Sequence, residues 1–202
     1  MMNLGFLASN NGSSLRAVIA AIEAGALEAQ ARLVVSNRRA APALAFAEAH
    51  GVPTAFIPTL PDSEQADARL AATLKDAGVE LVVLSGYLRK LGPRTLGAFA
   101  GRILNVHPAL LPKFGGEGMF GRRVHEAVLA AGEAVSGASV HLVDEYYDHG
   151  AVVAQVKTPV LPGDDAEALE RRVMAAEPQL FVETLQALVR GELILPVAGC
   201  RP

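Results

Sequence analysis

Short apolar runs alternate with amphipathic segments through the first half of the 202-residue chain, and this alternation constrains the fold more than any other feature. Uninterrupted apolar runs predict buried strands, whereas apolar residues at helical spacing predict helices. Strands that alternate with helices favour a parallel, doubly wound sheet with right-handed crossovers. The predicted strands are 2–8, 33–36, 54–57, 80–84 and a run that ends at 104, and the predicted helices are 15–24, 42–50 and 62–76.

The second half of the chain changes pattern. Residues 136–143 and 151–158 predict two strands on either side of an acidic turn, which we interpret as a hairpin appended to the sheet. A helix is predicted at 122–131. Asp164 and Asp165 should cap a long final helix, 166–190, and Pro178 should kink it. We therefore expect an α/β fold in which a doubly wound, mostly parallel sheet carries a C-terminal hairpin extension and a long final helix, all within a single domain, 1–202.

Composition excludes several classes of function. A net charge of −3 and a pI near 6.0 argue against a nucleic-acid partner, which usually needs a basic face. The single cysteine, Cys200, allows no intrachain disulfide and no cysteine-based metal site, and it fits a reducing compartment. No stretch reaches membrane-spanning length without a charge or a breaker. We expect a cytoplasmic protein with small-molecule partners and without nucleic-acid or membrane partners, as a monomer or a homodimer.

Asn105 and His107 follow the last apolar run of the parallel half. They stand two residues apart, so an extended backbone points both side chains the same way. Pro108 keeps His107 away from helical geometry. Polar side chains at the carboxyl end of a strand are a common way for α/β proteins to build a site, although the pattern fits an ordinary surface loop equally well.

Two further segments also follow predicted strands. Residues 9–14 (Ser-Asn-Asn-Gly-Ser-Ser) separate the first strand from the first helix, a geometry in which backbone N–H groups can hold a phosphate. Ser13 or Ser14 should cap that helix, and plain capping without a ligand is the alternative. Residues 85–93 follow the fourth strand, and their apolar side chains would suit a flat heterocycle or simply lead into a helix.

The string Asn-Val-His-Pro-Ala-Leu-Leu-Pro-Lys at 105–113 resembles the signature of the folate-dependent formyltransferases. The resemblance runs over roughly residues 3–193. Within this group, the turn at 9–14 and the short chain make the sequence most similar to the phosphoribosylglycinamide formyltransferases, which have a Rossmann-like formyltransferase fold. It implies transfer of the formyl group of 10-formyltetrahydrofolate to the glycinamide amine of 5-phosphoribosylglycinamide in purine synthesis, without a metal. Formyltetrahydrofolate hydrolase and other formyltransferases share the string, so their activities are the alternatives.

The resemblance also assigns roles to residues. It makes Asp148 the catalytic aspartate, with Asp144 as a competing candidate, and it assigns a phosphate-binding role to residues 1–100 and a catalytic and folate-binding role to 101–202. In the implied mechanism Asn105 donates to an oxyanion, His107 carries protons, and Asp148 stabilises the protonated histidine. The implied ribonucleotide site consists of Asn11, Gly12, Ser13, Ser14, Met174, Ala175, Ala176 and Glu177, and the implied folate site of Leu88, Arg89, Lys90, Leu91, Asn105, Asp144, Glu145, Tyr146, Tyr147 and Asp148.

Two departures and two rival interpretations accompany the resemblance. Ser63 and Glu64 stand where relatives carry an arginine, and the glycine-rich segment 114–121 is longer than in common bacterial forms, which suggests a mobile flap.

One rival function is that of a metallohydrolase, although the spacing of a known metal-ligand motif does not appear. The other is a sensor of phosphoribosyl ligands that uses only the 9–14 turn. The metal ligands of the first rival would be His107, His141, Asp144, Asp148 and His149.

Overall fold

The computed structural model describes residues 1–196, which form one seven-stranded sheet with helices on both faces. The strands are β1 (Met2–Leu7), β2 (Ala29–Ser36), β3 (Thr54–Phe56), β4 (Leu81–Leu84), β5 (Ile103–His107), β6 (Val135–Leu142) and β7 (Val152–Pro159). The helices are α1 (Ser13–Glu23), α2 (Pro42–Ala49), α3 (Ser63–Asp76), α4 (Pro93–Ala98), α5 (Arg122–Ala130) and α6 (Ala166–Val189).

The sheet has the order β3-β2-β1-β4-β5-β6-β7. Strands β1 to β5 pair in parallel, whereas β6 runs antiparallel to both β5 and β7. The chain winds outwards from β1 to β3 and then returns to β4 on the other side, so the order reverses between β1 and β4. Ligands of open α/β sheets bind at the carboxyl ends of strands beside such a reversal. The predicted doubly wound, mostly parallel sheet with a C-terminal hairpin is confirmed.

Both faces of the sheet are covered by apolar side chains. Along β4, Leu81 and Val83 belong to one hydrophobic cluster, and Val82 and Leu84 belong to a second cluster on the opposite face. This is why β4 has an uninterrupted apolar sequence, as expected for a parallel strand buried on both sides. No helix within residues 1–196 is long and apolar enough to cross a membrane. Cys200 lies outside the described residues.

The largest differences from the predicted elements concern β2 and α4. β2 begins at Ala29 instead of Leu33 because its first half, which alternates apolar and polar residues, pairs with the start of β1. Helix α4 was not among the predicted helices. Its first amides are capped from α3, since the buried carboxylate of Asp67 accepts from the N–H of Arg94 at 2.8 Å and of Thr95 at 3.2 Å, a tertiary contact that local sequence does not reveal.

The predicted helix caps are partly wrong. Gly12, and neither Ser13 nor Ser14, occupies the N-cap position of α1, with φ of 67°. Glycine adopts this left-handed conformation without strain. Asp165 caps α6 as predicted, accepting from the amide of Ala168 at 2.7 Å. Asp164 instead accepts hydrogen bonds from the guanidinium of Arg172 at 2.6 and 2.8 Å. Helix α6 is continuous through Pro178, and the kink remains a prediction.

Candidate active site

The loops after β1 and β4 are hydrogen-bonded to each other at the carboxyl edge of the sheet. The amide of Ser9 donates to the carbonyl of Gly86 at 3.1 Å, and the Ser9 hydroxyl accepts from the amide of Leu88 at 2.8 Å. The hydroxyl of Ser85 in turn accepts from the amide of Leu15 in α1 at 3.0 Å. These bonds join two of the segments that sequence analysis singled out, at the point where strand order reverses.

The turn before α1 is held by two arginines. The guanidinium of Arg38 donates to the Asn10 side chain at 2.7 Å, and that of Arg16 donates to the Asn11 carbonyl at 2.9 Å. The first N–H groups of a helix have no intrahelical partner, and here they follow the left-handed Gly12. The turn predicted to bind a phosphate therefore consists of small residues at a helix N-terminus with two arginines beside it, and these arginines were not among the predicted site residues.

The register of β5 against β6 positions the catalytic candidates. Asn105 pairs with His141 and His107 pairs with Ser139 across the antiparallel ladder. His107 is buried, and its Nε2 donates to the backbone carbonyl of Phe114 at 2.7 Å. Its Nδ1 lies 3.3 Å from Oδ2 of Asp148. The structure thus brings together the histidine and the aspartate from two segments that are 41 positions apart in sequence (148 − 107).

Asp148 lies at the centre of a polar cluster. Its Oδ2 accepts from the amide of Gly116 at 3.1 Å, and its Oδ1 lies 3.5 Å from Nε2 of His141. Its φ of 54° is unusual for a residue other than glycine, and such strain concentrates at functional sites. Asp144 is exposed and accepts from the amide of Tyr146 at 2.8 Å. Asp148, and not Asp144, is therefore the carboxylate that faces His107.

His141 was predicted only as a ligand of the rival metal site. Its Nδ1 donates to the carbonyl of Leu142 at 2.9 Å, which leaves Nε2 to accept from Nδ2 of Asn105 at 3.1 Å. His141 therefore fixes the orientation of the Asn105 amide, and the second N–H of that amide makes no hydrogen bond within residues 1–196. The signal in the sequence was the strand alternation of β6, which puts Ser139 and His141 on one face.

Burial and neighbouring groups shift the pKa values of His107 and Asp148 in opposite directions. Burial lowers the pKa of His107, partly offset by the Asp148 carboxylate and the Phe114 carbonyl, so the net direction is down. Burial alone would raise the pKa of Asp148, but the neighbouring His141, the charge of His107 and the Gly116 amide outweigh it and lower that pKa. At neutral pH the pair consists of a neutral imidazole and an ionised carboxylate.

Helix α6 brings a second carboxylate. Glu177 is half-buried, and burial together with the neighbouring Glu170 raises its pKa to about 7. Arg122, the first residue of α5, donates to Glu170 at 3.0 Å. Of the other residues predicted on this helix, Met174 and Ala175 are exposed and Ala176 is half-buried. A carboxyl group that titrates near neutrality can bind or accept protons from an amine.

His125 of α5 is buried nearby, and sequence analysis did not select it. Burial lowers its pKa, while the charge of Glu170 acts in the opposite direction and that of His107 adds to the lowering. Among residues 1–196, its Nδ1 has no hydrogen-bond partner. His125 therefore lies close enough to both Glu170 of α6 and His107 of β5 to respond to the charge of each.

The predicted folate segments lie side by side. The ammonium of Lys90 lies 5.3 Å from the ring centre of Tyr147, a cation–π distance. Leu91 is buried. The other side chains predicted to bind folate in segments 88–91 and 144–147 are exposed. This contact brings two segments that are far apart in sequence next to each other. The exposed ones are Leu88, Arg89, Lys90, Asp144, Glu145, Tyr146 and Tyr147.

The departures noted in the sequence have structural consequences. Glu64 lies 3.6 Å from Arg94 in an exposed ion pair. The beginning of the glycine-rich segment is tied to the site, because Phe114 and Gly116 bind His107 and Asp148. The predicted flap is therefore limited to residues after Gly116. In the described part of the chain, no cluster of three or more His, Cys, Asp or Glu side chains is arranged to hold a metal ion.

Fold and site together define a class: a doubly wound α/β protein with a buried histidine–aspartate pair beside an asparagine at the carboxyl edge of its sheet. The family model described as "Formyl transferase" matches residues 2–185. A phosphoribosylglycinamide formyltransferase of Haemophilus influenzae is 33% identical over 96% of this chain and 91% of its own length. A glycinamide ribonucleotide transformylase structure from Symbiobacterium toebii has a TM-score of 0.89 at 34% identity, covering 98% of this chain and 92% of that one.

The chain belongs to the formyl transferase family and, within it, to the phosphoribosylglycinamide formyltransferases, which confirms the resemblance. A chloroplastic relative from Vigna unguiculata is 37% identical over 95% of this chain, which spans 62% of the relative's length. The chain spans 64% of the length of a chloroplastic relative from Arabidopsis thaliana. A formyltetrahydrofolate deformylase from Pseudomonas syringae has a TM-score of 0.86 over 98% of this chain and 64% of its own, but at 23% identity it shows the fold alone.

The raised pKa of Glu177 predicts how stability depends on pH. Its pKa is higher in the folded protein, about 7, than the ordinary value of 4.5, so between these values the folded state binds more protons and stability falls as pH rises. Glu177→Gln should reduce this loss, by on the order of 1 to 3 kcal/mol after allowance for solvent screening. Urea unfolding at pH 4.5 and 8 measures it, with Glu183→Gln, exposed on the same helix, as the control. Equal pH dependence in both variants would contradict the assignment.

Proposed function

We propose that this protein transfers the formyl group of 10-formyltetrahydrofolate to the amine of 5-phosphoribosylglycinamide, as the names of its relatives suggest. The observation that carries the proposal is the buried pair of His107 and Asp148, 3.3 Å apart, beside an Asn105 whose amide is oriented by His141. Acyl transfer to an amine needs a proton carrier and a donor aimed at the developing oxyanion. His107 and Asn105 supply both from positions two residues apart on β5.

The proposed reaction begins with the neutral amine. Glu177, with a pKa of about 7, takes a proton from the substrate ammonium. The amine then attacks the formyl carbon, a C–N bond forms, and the carbonyl oxygen becomes an oxyanion that receives the free N–H of Asn105. His107 accepts the proton that the attacking nitrogen loses. Collapse breaks the bond to N10 of the folate, and the proton is delivered to that nitrogen.

The electrostatics of the pair fit these steps. A lowered pKa keeps His107 neutral and able to accept a proton. When it does, the new proton sits on Nδ1, because Nε2 already donates to Phe114. The Asp148 carboxylate, ionised through its lowered pKa, then stabilises the imidazolium. Neutral before attack and stabilised after it, the imidazole can act as base and acid in turn.

The two substrates have distinct proposed positions. The phosphate binds the turn formed by Asn11, Gly12, Ser13 and Ser14, near the guanidinium groups of Arg16 and Arg38. The glycinamide amine reaches Glu177, beside Met174, Ala175 and Ala176. The pterin lies against the paired segments that carry Lys90 and Tyr147. The full proposed folate set is Leu88, Arg89, Lys90, Leu91, Asn105, Asp144, Glu145, Tyr146, Tyr147 and Asp148.

Hydrolysis of the formyl group is the alternative, with water in place of the amine. The same oxyanion donor and proton carrier would serve it, but the phosphate turn and Glu177 would have no role. The experiment is incubation of the protein with 10-formyltetrahydrofolate, with and without the ribonucleotide, while folate deformylation is followed spectroscopically. We expect turnover only when the ribonucleotide is present. Equal turnover without it would support hydrolysis, and no turnover in either case would reject both.

A second prediction concerns His141 as a positioning residue. His141→Phe removes the acceptor that orients Asn105, so kcat should fall about tenfold to a hundredfold, a part of the effect of losing an oxyanion donor. KM for both substrates should change little because His141 binds neither. His141→Gln keeps an acceptor and should recover part of the loss. If kcat is unchanged in His141→Phe, or if KM alone rises, Asn105 is oriented by something else.

A further inference from the structure

The last three strands carry a row of polar side chains on one face of the sheet. His107 of β5 pairs with Ser139 of β6, and Ser139 pairs with Gln155 of β7. Residues directly opposite each other on neighbouring strands point to the same face and lie close enough to interact. Gln155 is not among the residues proposed above to bind a substrate or to carry a proton, yet the register places it in the same row as His107.

The Gln155 side chain is directed at the loop that follows β5. β7 is the edge strand of the sheet, and Gln155 is exposed, a position where a polar side chain ordinarily remains in solvent. Its Nε2 instead donates to the backbone carbonyl of Leu111 at 3.0 Å and to Oγ of Ser139 at 2.8 Å. Because a carbonyl oxygen can only accept, the NH₂ end of the Gln155 amide must be the end that faces Leu111.

Ser139 extends this contact along the loop. Its Oγ donates to the carbonyl of Ala109 at 2.6 Å and accepts from the amide of Leu111 at 3.0 Å. The hydroxyl has one proton, which goes to Ala109, so the bond from Gln155 must be one that the hydroxyl oxygen accepts. Gln155 and Ser139 together therefore hold both polar backbone groups of Leu111, its N–H and its C=O.

The Leu111 side chain fixes the next part of the loop. It is buried and packs against Gly115, where an added Cβ would lie 2.5 Å from Cδ2 of Leu111 and 3.2 Å from Cβ of Asp148. The Gly115 backbone thus lies in close contact with both side chains. A displaced Leu111 would therefore allow Gly115 and its neighbours in the loop to move.

The neighbours of Gly115 make the two backbone contacts of the His107–Asp148 pair. The Phe114 carbonyl accepts from Nε2 of His107 at 2.7 Å, and the Gly116 amide donates to Oδ2 of Asp148 at 3.1 Å. The Phe114 contact decides the tautomer of the neutral imidazole, because a carbonyl can bind only a ring nitrogen that carries a proton. Without this contact, the Asp148 carboxylate, 3.3 Å from Nδ1, would draw the proton to Nδ1.

We propose that Gln155 is a positioning residue for the formyl transfer: by holding Leu111, it keeps the Phe114 carbonyl where that carbonyl fixes the proton of His107 on Nε2. Nδ1 then remains free to accept the proton that the attacking amine loses. Ser139 is the second support of the same loop. The effect of Gln155 on turnover rests on the proposed function, whereas its effect on the His107 proton does not.

The first test follows the His107 proton directly, by side-chain ¹⁵N NMR of histidine in the intact protein at pH 8, where the imidazole is neutral. Gln155→Met keeps the length of the side chain but removes its donors, so we expect the proton to move from Nε2 towards Nδ1. Gln155→Lys retains a donor of similar reach and should keep the parent tautomer. An unchanged tautomer in Gln155→Met, or the same change in both variants, would overturn the proposal. The measurement needs no substrate, so it tests Gln155 even if the protein does not transfer a formyl group.

Steady-state kinetics provide the second test. Gln155→Met should lower kcat about tenfold to a hundredfold, the cost of a small misplacement near the reacting groups. KM for both substrates should change by less than about twofold, because Gln155 binds neither, and Gln155→Lys should recover most of kcat. Gln65→Met, a matched change at an exposed position of α3, should leave both constants unchanged. The parent's kcat in Gln155→Met, a rise in KM alone, or an equal loss in Gln65→Met would contradict the role given to Gln155.

Discussion

The antiparallel pairing of β5 with β6 is the constraint on which the site depends. This register sets Asn105 opposite His141 and His107 opposite Ser139. A shift of one residue would turn each of these side chains to the other face of the sheet. The pairing also begins the hairpin whose turn carries Asp148 back to His107. Because β6 and β7 are antiparallel, a short turn joins them, whereas parallel strands would need a crossover of a dozen or more residues. The antiparallel extension is therefore what completes the candidate site.

Burial gives this arrangement its chemical character. His107 and Asp148 lie where water is largely excluded, so each responds strongly to the other and to a few backbone groups. The Phe114 carbonyl and the Gly116 amide bind the two members of the pair, which places the glycine-rich segment in direct contact with the chemistry. This loop therefore links the proposed proton transfer to the start of the predicted flap.

Much of the fold could be predicted from sequence because its signals are local. Apolar runs gave the strands, helical spacing gave all the helices except α4, and the acidic turn at 144–148 was placed between two strands. Residues whose roles depend on tertiary contacts were missed: His141, which orients Asn105 through strand register, His125, buried between α5 and α6, and Arg38, which reaches the phosphate turn from the end of β2. The serine caps of α1 failed because Gly12 takes the left-handed cap position instead. Catalytic and binding roles came from the resemblance and remain proposals.

The central claim is that the Asp148 carboxylate governs the charge of a buried His107 whose Nε2 proton is held by Phe114. Side-chain ¹⁵N NMR of histidine over a pH series, on the parent protein and Asp148→Asn, tests it most directly. The account predicts that neutral His107 carries its proton on Nε2, that its pKa lies below the ordinary value of 6.5, and that Asp148→Asn lowers that pKa further, since a stabilising negative charge is removed. A proton on Nδ1 in the neutral form, or a His107 pKa that is unchanged in Asp148→Asn, would contradict it.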